Sequence, residues 1–270
     1  MPYETVILEK KEKIGILTLN RPEARNALNP AIRKDIDAAL DEAEEDKEIE
    51  VLILTGAGKA FCAGVDLKYL GKMSLEAGKE RVPLADTTDR RSNLARLDDF
   101  RCPTIGAING PAITGGFELA LSCDILIAAE NAFFGDTHAR VGIIPGAGLS
   151  QKLSRIVGIK RALEISLGCD FISAKEAAQM GFVNRVVPAD RLMETAMAMA
   201  NKIIGNHKET MLKYRALIKE GHGMDYRDGM RLEGLESAVW VTRVKPADVE
   251  ERRLGILEKG RKQASDARER

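Results

Sequence analysis

The chain has 270 residues, of which 44% are hydrophobic and 30% are charged, so it can bury a sizeable core. Lysine and arginine together number 41, as do aspartate and glutamate, and the net charge of zero provides no overall field that would attract nucleic acid or an anionic membrane. No apolar run approaches the ~20 residues that cross a bilayer. We therefore expect a cytoplasmic protein without nucleic-acid or membrane partners.

The first half of the chain alternates predicted strands with predicted helices. Predicted strands span residues 6–8, 14–19, 51–55, 104–108 and 124–128. Asn29 and Pro30 supply an N-cap and a first-turn proline for one helix, and a second helix opens at Gly115. This alternation favours an α/β fold.

Residues 68–98, still in the first half, are polar and irregular, and they lead into a predicted helix at about 86–99. Beyond Gly158 the pattern is predominantly helical. Ser173 and Glu176 form a predicted capping box, and a last short strand is predicted at 183–187. We therefore divide the chain into a core of ββα units (1–189) and a helical C-terminal region (190–270), which needs a surface to pack on in this domain or in another subunit.

The cysteines do not indicate a metal site or a disulfide framework. Cys62, Cys102, Cys123 and Cys169 lie in apolar or small-residue contexts, without CxxC spacing and without a nearby histidine pair. We expect reduced, buried thiols and no metal ligands.

Two glycine-rich loops, residues 56–67 and 109–118, each follow an apolar predicted strand. Glycine lets backbone N–H groups approach a ligand closely, and two such loops side by side would form an oxyanion hole. Tight turns between strands and helices remain the alternative explanation. Neither loop has the glycine pattern of a dinucleotide or P-loop site, and the chain has no G-x-S-x-G motif of a serine hydrolase.

Taken together, these motifs resemble the enoyl-CoA hydratase/isomerase (crotonase) family. The matching segments are residues 18–28, 60–67, 103–120, 145–148, 172–177 and 249–262. The resemblance implies the crotonase fold, an α/β core of repeated ββα units arranged as a superhelix with a helical C-terminal oligomerisation region, in a homotrimer or a dimer of trimers. It also implies an acyl-CoA thioester as substrate, with no metal or redox cofactor.

The resemblance also assigns residues to the site by motif position. The backbone N–H groups of Val65 and Gly115 would hold the thioester oxygen. Two further segments would bind substrate and coenzyme A, through Arg25, Ala27, Leu28, Ala63, Gly64, Asp66, Leu67 and Lys68.

Glu118 and His138 are the candidate catalytic side chains. Family hydratases use the glutamate that matches Glu118 to position and deprotonate water. They generally carry a second glutamate in a Phe-Gly-x-Pro-Glu segment, where this chain has Phe134-Gly135-Asp136-Thr137-His138. Histidine can also transfer a proton near neutral pH, although His138 could instead shape the pocket and Asp136 could substitute.

The sequence therefore predicts an enoyl-CoA hydratase that adds water across a 2-enoyl-CoA thioester. An enoyl-CoA isomerase is the main alternative, because moving a proton between C2 and C4 needs one carboxylate rather than two. A catalytically weak acyl-CoA-binding homologue is a third possibility. The sequence does not indicate which acyl chain is the substrate.

Overall fold

The computed structural model of the chain describes residues 3–76 and 93–268. The chain forms two units, residues 1–208 and residues 209–270. The strands are β1 (Val6–Lys11), β2 (Ile14–Leu19), β3 (Val51–Gly56), β4 (Thr104–Ile108), β5 (Ala112–Ile113), β6 (Ile125–Ala129), β7 (Phe133–Gly135), β8 (Phe171–Ser173) and β9 (Arg185–Val187). All of them belong to the first unit.

The helices alternate with these strands and then continue beyond them. The first unit contains α1 (Pro30–Glu45), α2 (Leu67–Glu76), α3 (Gly115–Leu121), α4 (His138–Val141), α5 (Leu149–Val157), α6 (Ile159–Gly168), α7 (Ala174–Met180) and α8 (Leu192–Ile204). The second unit is formed by α9 (Lys208–His222), which begins at the boundary, α10 (Tyr226–Val241) and α11 (Pro246–Arg268). Short 3₁₀ helices span Pro22–Ala24, Asn93–Asp99 and Ala189–Arg191.

Local signals account for several of these boundaries. The side chain of Asn29 caps α1 by accepting the N–H of Ile32 at 3.0 Å, as the Asn-Pro pair predicts. The predicted capping box between Ser173 and Glu176 is present at the start of α7. The predicted helix at about 86–99 lies partly outside the described residues, and its last part, residues 93–99, is a 3₁₀ helix.

The main sheet of the described structure has the strand order β1-β2-β3-β4-β6-β9. β1 and β2 form an antiparallel hairpin, and every later neighbour pairs in parallel. Carboxyl ends of parallel strands meet at one edge of a sheet, so the loops after β3 and β4 are neighbours. This topology brings the two glycine-rich loops together and confirms the predicted α/β class.

The sheet is buried on both faces. In β3, Leu52 and Leu54 pack into the cluster that includes α1 and α3, whereas Val51 and Ile53 face the opposite side. Helix α8 covers that opposite side with Leu192, Ala196 and Ala200. Burial on both faces explains why β3 reads as a continuous apolar run.

A smaller sheet of β5, β7 and β8 positions the loop that carries His138. β5 and β7 pair in parallel, with Ile113 opposite Gly135, and β8 pairs with β7 in the antiparallel sense. The N–H of Thr114 extends this pairing by donating to the carbonyl of Gly135 at 2.7 Å. Residues that follow Gly135 therefore lie beside the start of α3.

Candidate active site

The two glycine-rich loops are in direct backbone contact. Cys62 in the first loop forms a parallel bridge with Ala112 in the second, and the N–H of Ile113 donates to the Cys62 carbonyl at 2.9 Å. Two glycines permit this approach. A Cβ atom at Gly116 would lie 2.1 Å from the Cys62 carbonyl oxygen, and one at Gly64 would lie 2.6 Å from that of Ile113. Larger residues at either position would push the loops apart.

The predicted oxyanion-hole donors, the N–H groups of Val65 and Gly115, lie on the two glycine-rich loops. Leu28 donates its N–H to the Gly64 carbonyl at 2.7 Å and accepts the N–H of Asp66 at 3.0 Å, so the N–H of Val65 points away from Leu28. Gly115 is the first residue of α3, where N–H groups have no acceptor within the helix. Neither N–H donates to a backbone acceptor within residues 3–76 and 93–268.

Thr114, immediately before Gly115, has a strained backbone. Its φ is 53° and its ψ is −111°, a combination that β-branched residues rarely adopt. Its Oγ1 lies 2.5 Å from that of Thr137, which, with the bond to Gly135, holds the residue in place. Strain of this kind is typical of functional sites, and here it sets the direction of the Gly115 N–H.

The carboxylate of Glu118 is buried in the first turn of α3, with 4% of the residue exposed. Its Oε1 accepts the backbone N–H of Ala147 at 2.7 Å and, less closely, that of Leu149 at 3.4 Å. These donors come from the Pro145–Gly148 motif and the start of α5. They fix one oxygen of the carboxylate and leave Oε2 facing His138.

His138 is also buried, and its ring lies between two carboxylates. Nδ1 is 2.7 Å from Oδ1 of Asp136, and Nε2 is 3.8 Å from Oε2 of Glu118. The backbone N–H of His138 donates to the same Asp136 oxygen at 3.1 Å. The structure thus brings both predicted catalytic side chains together. Asp136 lies at the other ring nitrogen, on the side of the histidine away from Glu118.

The environment keeps Asp136 ionised. Burial alone would raise the pKa of the Asp136 carboxyl, but hydrogen bonds from His138 and Ser166 outweigh it and hold this pKa below its ordinary value. An ionised carboxylate only accepts hydrogen bonds. Asp136 is therefore an acceptor for the histidine ring.

Arg33 brings a positive charge near this acidic cluster. It lies in α1 and is partly buried, and burial lowers the pKa of its guanidinium group, while the negative charges of Glu118 and Asp37 oppose that shift. Its cation offsets part of the cost of burying the Glu118 charge.

The two predicted coenzyme A-binding segments lie beside each other. Ala63 donates its N–H to the carbonyl of Arg25 at 3.0 Å, and the bridge between Leu28 and Val65 continues this contact. The Arg25 side chain is exposed, whereas Ala27 and Leu28 are buried. Arg25 itself has a φ of 53°, which turns the chain between the two segments.

In the rest of the second segment, Asp66 is ion-paired and the two residues after it are exposed. Asp66 forms an ion pair with Arg21 at 2.8 Å, and the hydrogen bond from Arg21 holds the Asp66 pKa below its ordinary range. Leu67 and Lys68, at the start of α2, are exposed. Their side chains, with that of Arg25, are therefore accessible to a ligand, while Asp66 holds the segment in shape.

Asn26 organises the first glycine-rich loop from inside the protein. It is fully buried, and its Nδ2 donates to the carbonyls of Ala57, Ala60 and Phe61 at 3.0, 2.8 and 3.1 Å. Its Oδ1 accepts the N–H of Arg21 at 2.8 Å.

Replacing Asn26 with aspartate should therefore destabilise the fold by about 3 kcal/mol or more, because a buried carboxylate would face three carbonyl oxygens. Chemical denaturation measures the loss. The matched control is Asn131→Asp at an exposed position, which we expect to change the unfolding free energy by less than about 0.5 kcal/mol. Equal stability of the two variants would show that the Asn26 amide does not hold the loop.

The cysteines are free thiols and all four are buried. Burial raises the pKa of Cys62 to about 12, and its Sγ lies 3.1 Å from the carbonyl of Asn26. This thiol is in the protonated, unreactive form at neutral pH.

Sequence reasoning missed three contributors to the site. The sequence indicated Asp136 only as a substitute for His138 and not as its hydrogen-bond partner. The spacing of two residues between them in an extended segment could have indicated that the two side chains lie on the same face. The N–H groups that hold Glu118 carry no side-chain signal. Arg33 has none either, because it reads as a surface residue of an amphipathic helix.

Comparison with known proteins assigns the chain to a family. A sequence model of the enoyl-CoA hydratase/isomerase family matches residues 9–263. The chain therefore belongs to the enoyl-CoA hydratase/isomerase family, which the sequence resemblance had indicated.

Relatives with assigned names are similar over most of their length. The chain is 41% identical over 233 residues to a probable peroxisomal enoyl-CoA hydratase 1 of Arabidopsis thaliana, covering 85% of this chain and 84% of that protein. It is 40% identical over 234 residues to a short-chain-enoyl-CoA hydratase of Clostridium acetobutylicum, covering 86% and 88%.

Solved structures agree with this assignment. An enoyl-CoA hydratase subunit of Geobacillus kaustophilus HTA426 matches with a TM-score of 0.83 and 32% identity, covering 95% of this chain and 96% of that one. The enoyl-CoA hydratase of Mycobacterium tuberculosis H37Rv matches with a TM-score of 0.68 and 42% identity, covering 87% and 96%. Across the described residues, no helix combines the length and apolar character needed to span a membrane.

Proposed function

We propose that this chain is an enoyl-CoA hydratase that adds water syn across the C2–C3 double bond of a 2-enoyl-CoA thioester. The observation that carries the proposal is the buried pair formed by Glu118 and His138, with Oε2 and Nε2 3.8 Å apart. A water oxygen can lie within hydrogen-bond distance of both atoms. The names of the relatives support the same reaction.

Each group has a role in this reaction. Glu118 accepts a proton from water while the water oxygen bonds to C3, and the electrons of the double bond move onto the thioester oxygen. The N–H groups of Val65 and Gly115 stabilise this enolate by about 3 to 4 kcal/mol per donor. Protonated His138 then donates a proton to C2. After the product leaves, a water between the two groups passes the proton on Glu118 back to His138.

Substrate binding is assigned to the two adjoining segments. Arg25, Lys68 and Leu67 are exposed and can contact coenzyme A, while Ala27, Leu28, Ala63, Gly64 and Asp66 shape the backbone around it. The reaction consists of proton transfers and hydrogen bonding to an oxyanion, so it requires no metal or redox cofactor. The substrate is the coenzyme A thioester itself.

Product analysis by mass tests the function. Incubation with a panel of short, long, branched and cyclic 2-enoyl-CoA thioesters should yield products heavier by one water for at least one substrate. Products of unchanged mass with a shifted double bond would instead establish the isomerase, and binding without turnover would establish the acyl-CoA-binding homologue.

The exposed apolar surface of the first unit supports a homo-oligomer, a homotrimer or a dimer of trimers. Ile159, Leu163 and Leu167 recur every four residues on α6, with exposed fractions of 66%, 47% and 71%. A stripe of this kind is typical of a subunit interface. Sedimentation at micromolar concentration should show a trimer or hexamer, and a stable, active monomer would contradict this assignment.

A further inference from the structure

Among the described residues, the ring of the site histidine has one close hydrogen-bond partner, the carboxylate of Asp136. Oδ1 of Asp136 lies 2.7 Å from Nδ1 of His138 and also accepts the His138 backbone N–H at 3.1 Å. Both contacts come from within one short segment, so the position of the ring depends on that of the Asp136 carboxylate. The opposite ring nitrogen, Nε2, faces Oε2 of Glu118 across 3.8 Å, which is too long for a direct hydrogen bond.

The protonation of the ring follows from this arrangement. Because Asp136 is ionised, it accepts a hydrogen bond and does not donate one, so Nδ1 must carry a proton. A neutral ring then has an unprotonated Nε2, and a protonated ring directs its second N–H toward Glu118 and the space between them. In both states Nε2 is the atom that gains or loses the proton.

The charged and titratable groups around the ring are few in the described residues. Asp136 lies on its own segment, Glu118 faces it from α3, and Arg33 of α1 interacts with Glu118. Ser166 of α6 contributes only a hydroxyl group, which hydrogen-bonds to Asp136. A protonated His138 thus lies between two negative charges, of which Arg33 partly neutralises the Glu118 side.

We propose that Asp136 is a positioning residue for the reaction: it keeps a proton on Nδ1 of His138 in every step, so that Nε2 alone exchanges a proton with Glu118 and with C2 of the substrate. The proposal rests on the hydratase function. It accounts for how a histidine replaces the second glutamate of the family pattern. A glutamate delivers its proton from either oxygen, whereas a histidine requires a partner that determines which nitrogen is free.

Asp136→Asn tests this role in the 270-residue chain. The variant keeps the shape and removes the negative charge, so kcat for hydration should fall by about 10²-fold or more while KM changes by less than about 3-fold. In the pH profile of kcat, activity is lost at high pH where His138 loses its proton. This high-pH limb should move to lower pH, because removing the adjacent negative charge favours the neutral ring. A structural role alone would lower stability without moving this limb.

Asp124→Asn is the matched control. Asp124 is a partly buried aspartate in the same unit, and like Asp136 its carboxylate accepts a backbone N–H, that of Thr104 at 2.9 Å. We expect the control to keep the pH profile of the unaltered protein. An Asp136→Asn variant that folds, keeps kcat within about 3-fold and has an unchanged pH profile would overturn the proposal.

A spectroscopic measurement on the unaltered protein keeps the proposal testable if the variant does not fold. The chain has three histidines, so nitrogen-15 ring spectra are simple, and His138→Gln identifies the His138 signals. The neutral ring should carry its proton on Nδ1, and a proton on Nε2 would overturn the proposal. This measurement needs no substrate, so its result is independent of whether the chain hydrates enoyl-CoA.

Discussion

Replacing Glu118 with glutamine is expected to lower kcat for hydration by about 10²- to 10⁴-fold. Glutamine keeps the shape of the side chain, and its carbonyl oxygen can still accept the N–H of Ala147, but it cannot take a proton from water. Binding of a saturated acyl-CoA, measured by calorimetry, should change little. Loss of absorbance by the conjugated thioester gives kcat.

The matched control is Glu176→Gln. Glu176 is exposed and caps α7, where glutamine serves equally well, so we expect unchanged kcat. A Glu118→Gln variant that keeps kcat within about 3-fold of the unaltered protein would contradict the role of Glu118.

His138→Ala extends the same test to the second group. It should lower kcat by a comparable factor. The double variant should lose much less than the product of the two factors, because the two groups act together in one reaction. If His138→Ala turns over normally while Glu118→Gln is inactive, the two-group hydratase mechanism is wrong and the one-base isomerase takes its place.

Gly115→Pro is the second variant with a large expected effect. The donors of the oxyanion hole are backbone groups, and proline removes the N–H of Gly115. Proline is well tolerated at the first position of a helix. Gly115 holds that position in α3, so the helix should still form. We expect kcat to fall by about 10²-fold or more with acyl-CoA binding largely retained.

Gly115→Ala is the control, since it adds a Cβ but keeps the N–H. If kcat falls in Gly115→Pro but not in Gly115→Ala, the loss is due to the missing N–H. Val65→Pro removes the other predicted donor and should lower kcat in the same way. Near-normal turnover in a folded Gly115→Pro variant would remove Gly115 from the site.

Local sequence signals predicted much of the main sheet. Asn29 and Pro30 determine the start of α1 through contacts a few residues away, and the apolar run at β3 reflects burial on both faces. The family motifs indicated Glu118 and His138 as a pair, and the structure places them 3.8 Å apart. These features depend on residues that are close in sequence or belong to a known pattern.

Long-range pairing accounts for what the sequence did not reveal. β5, β7 and β8 have two or three residues each, which is too short for a period of two to stand out. Their pairing nevertheless brings the segment after Gly135 beside α3. The partners of Glu118 are backbone N–H groups about 30 residues away in the chain, a contact that only the folded chain creates.

Isotope incorporation during turnover tests the central claim most directly. The unaltered protein is incubated with a 2-enoyl-CoA that it converts, in water enriched in deuterium and oxygen-18. Hydration through Glu118 and His138 predicts a product with one oxygen-18 at C3 and one deuterium at C2. A product that contains deuterium but no oxygen-18 would contradict the account, because proton transfer without water addition is isomerisation.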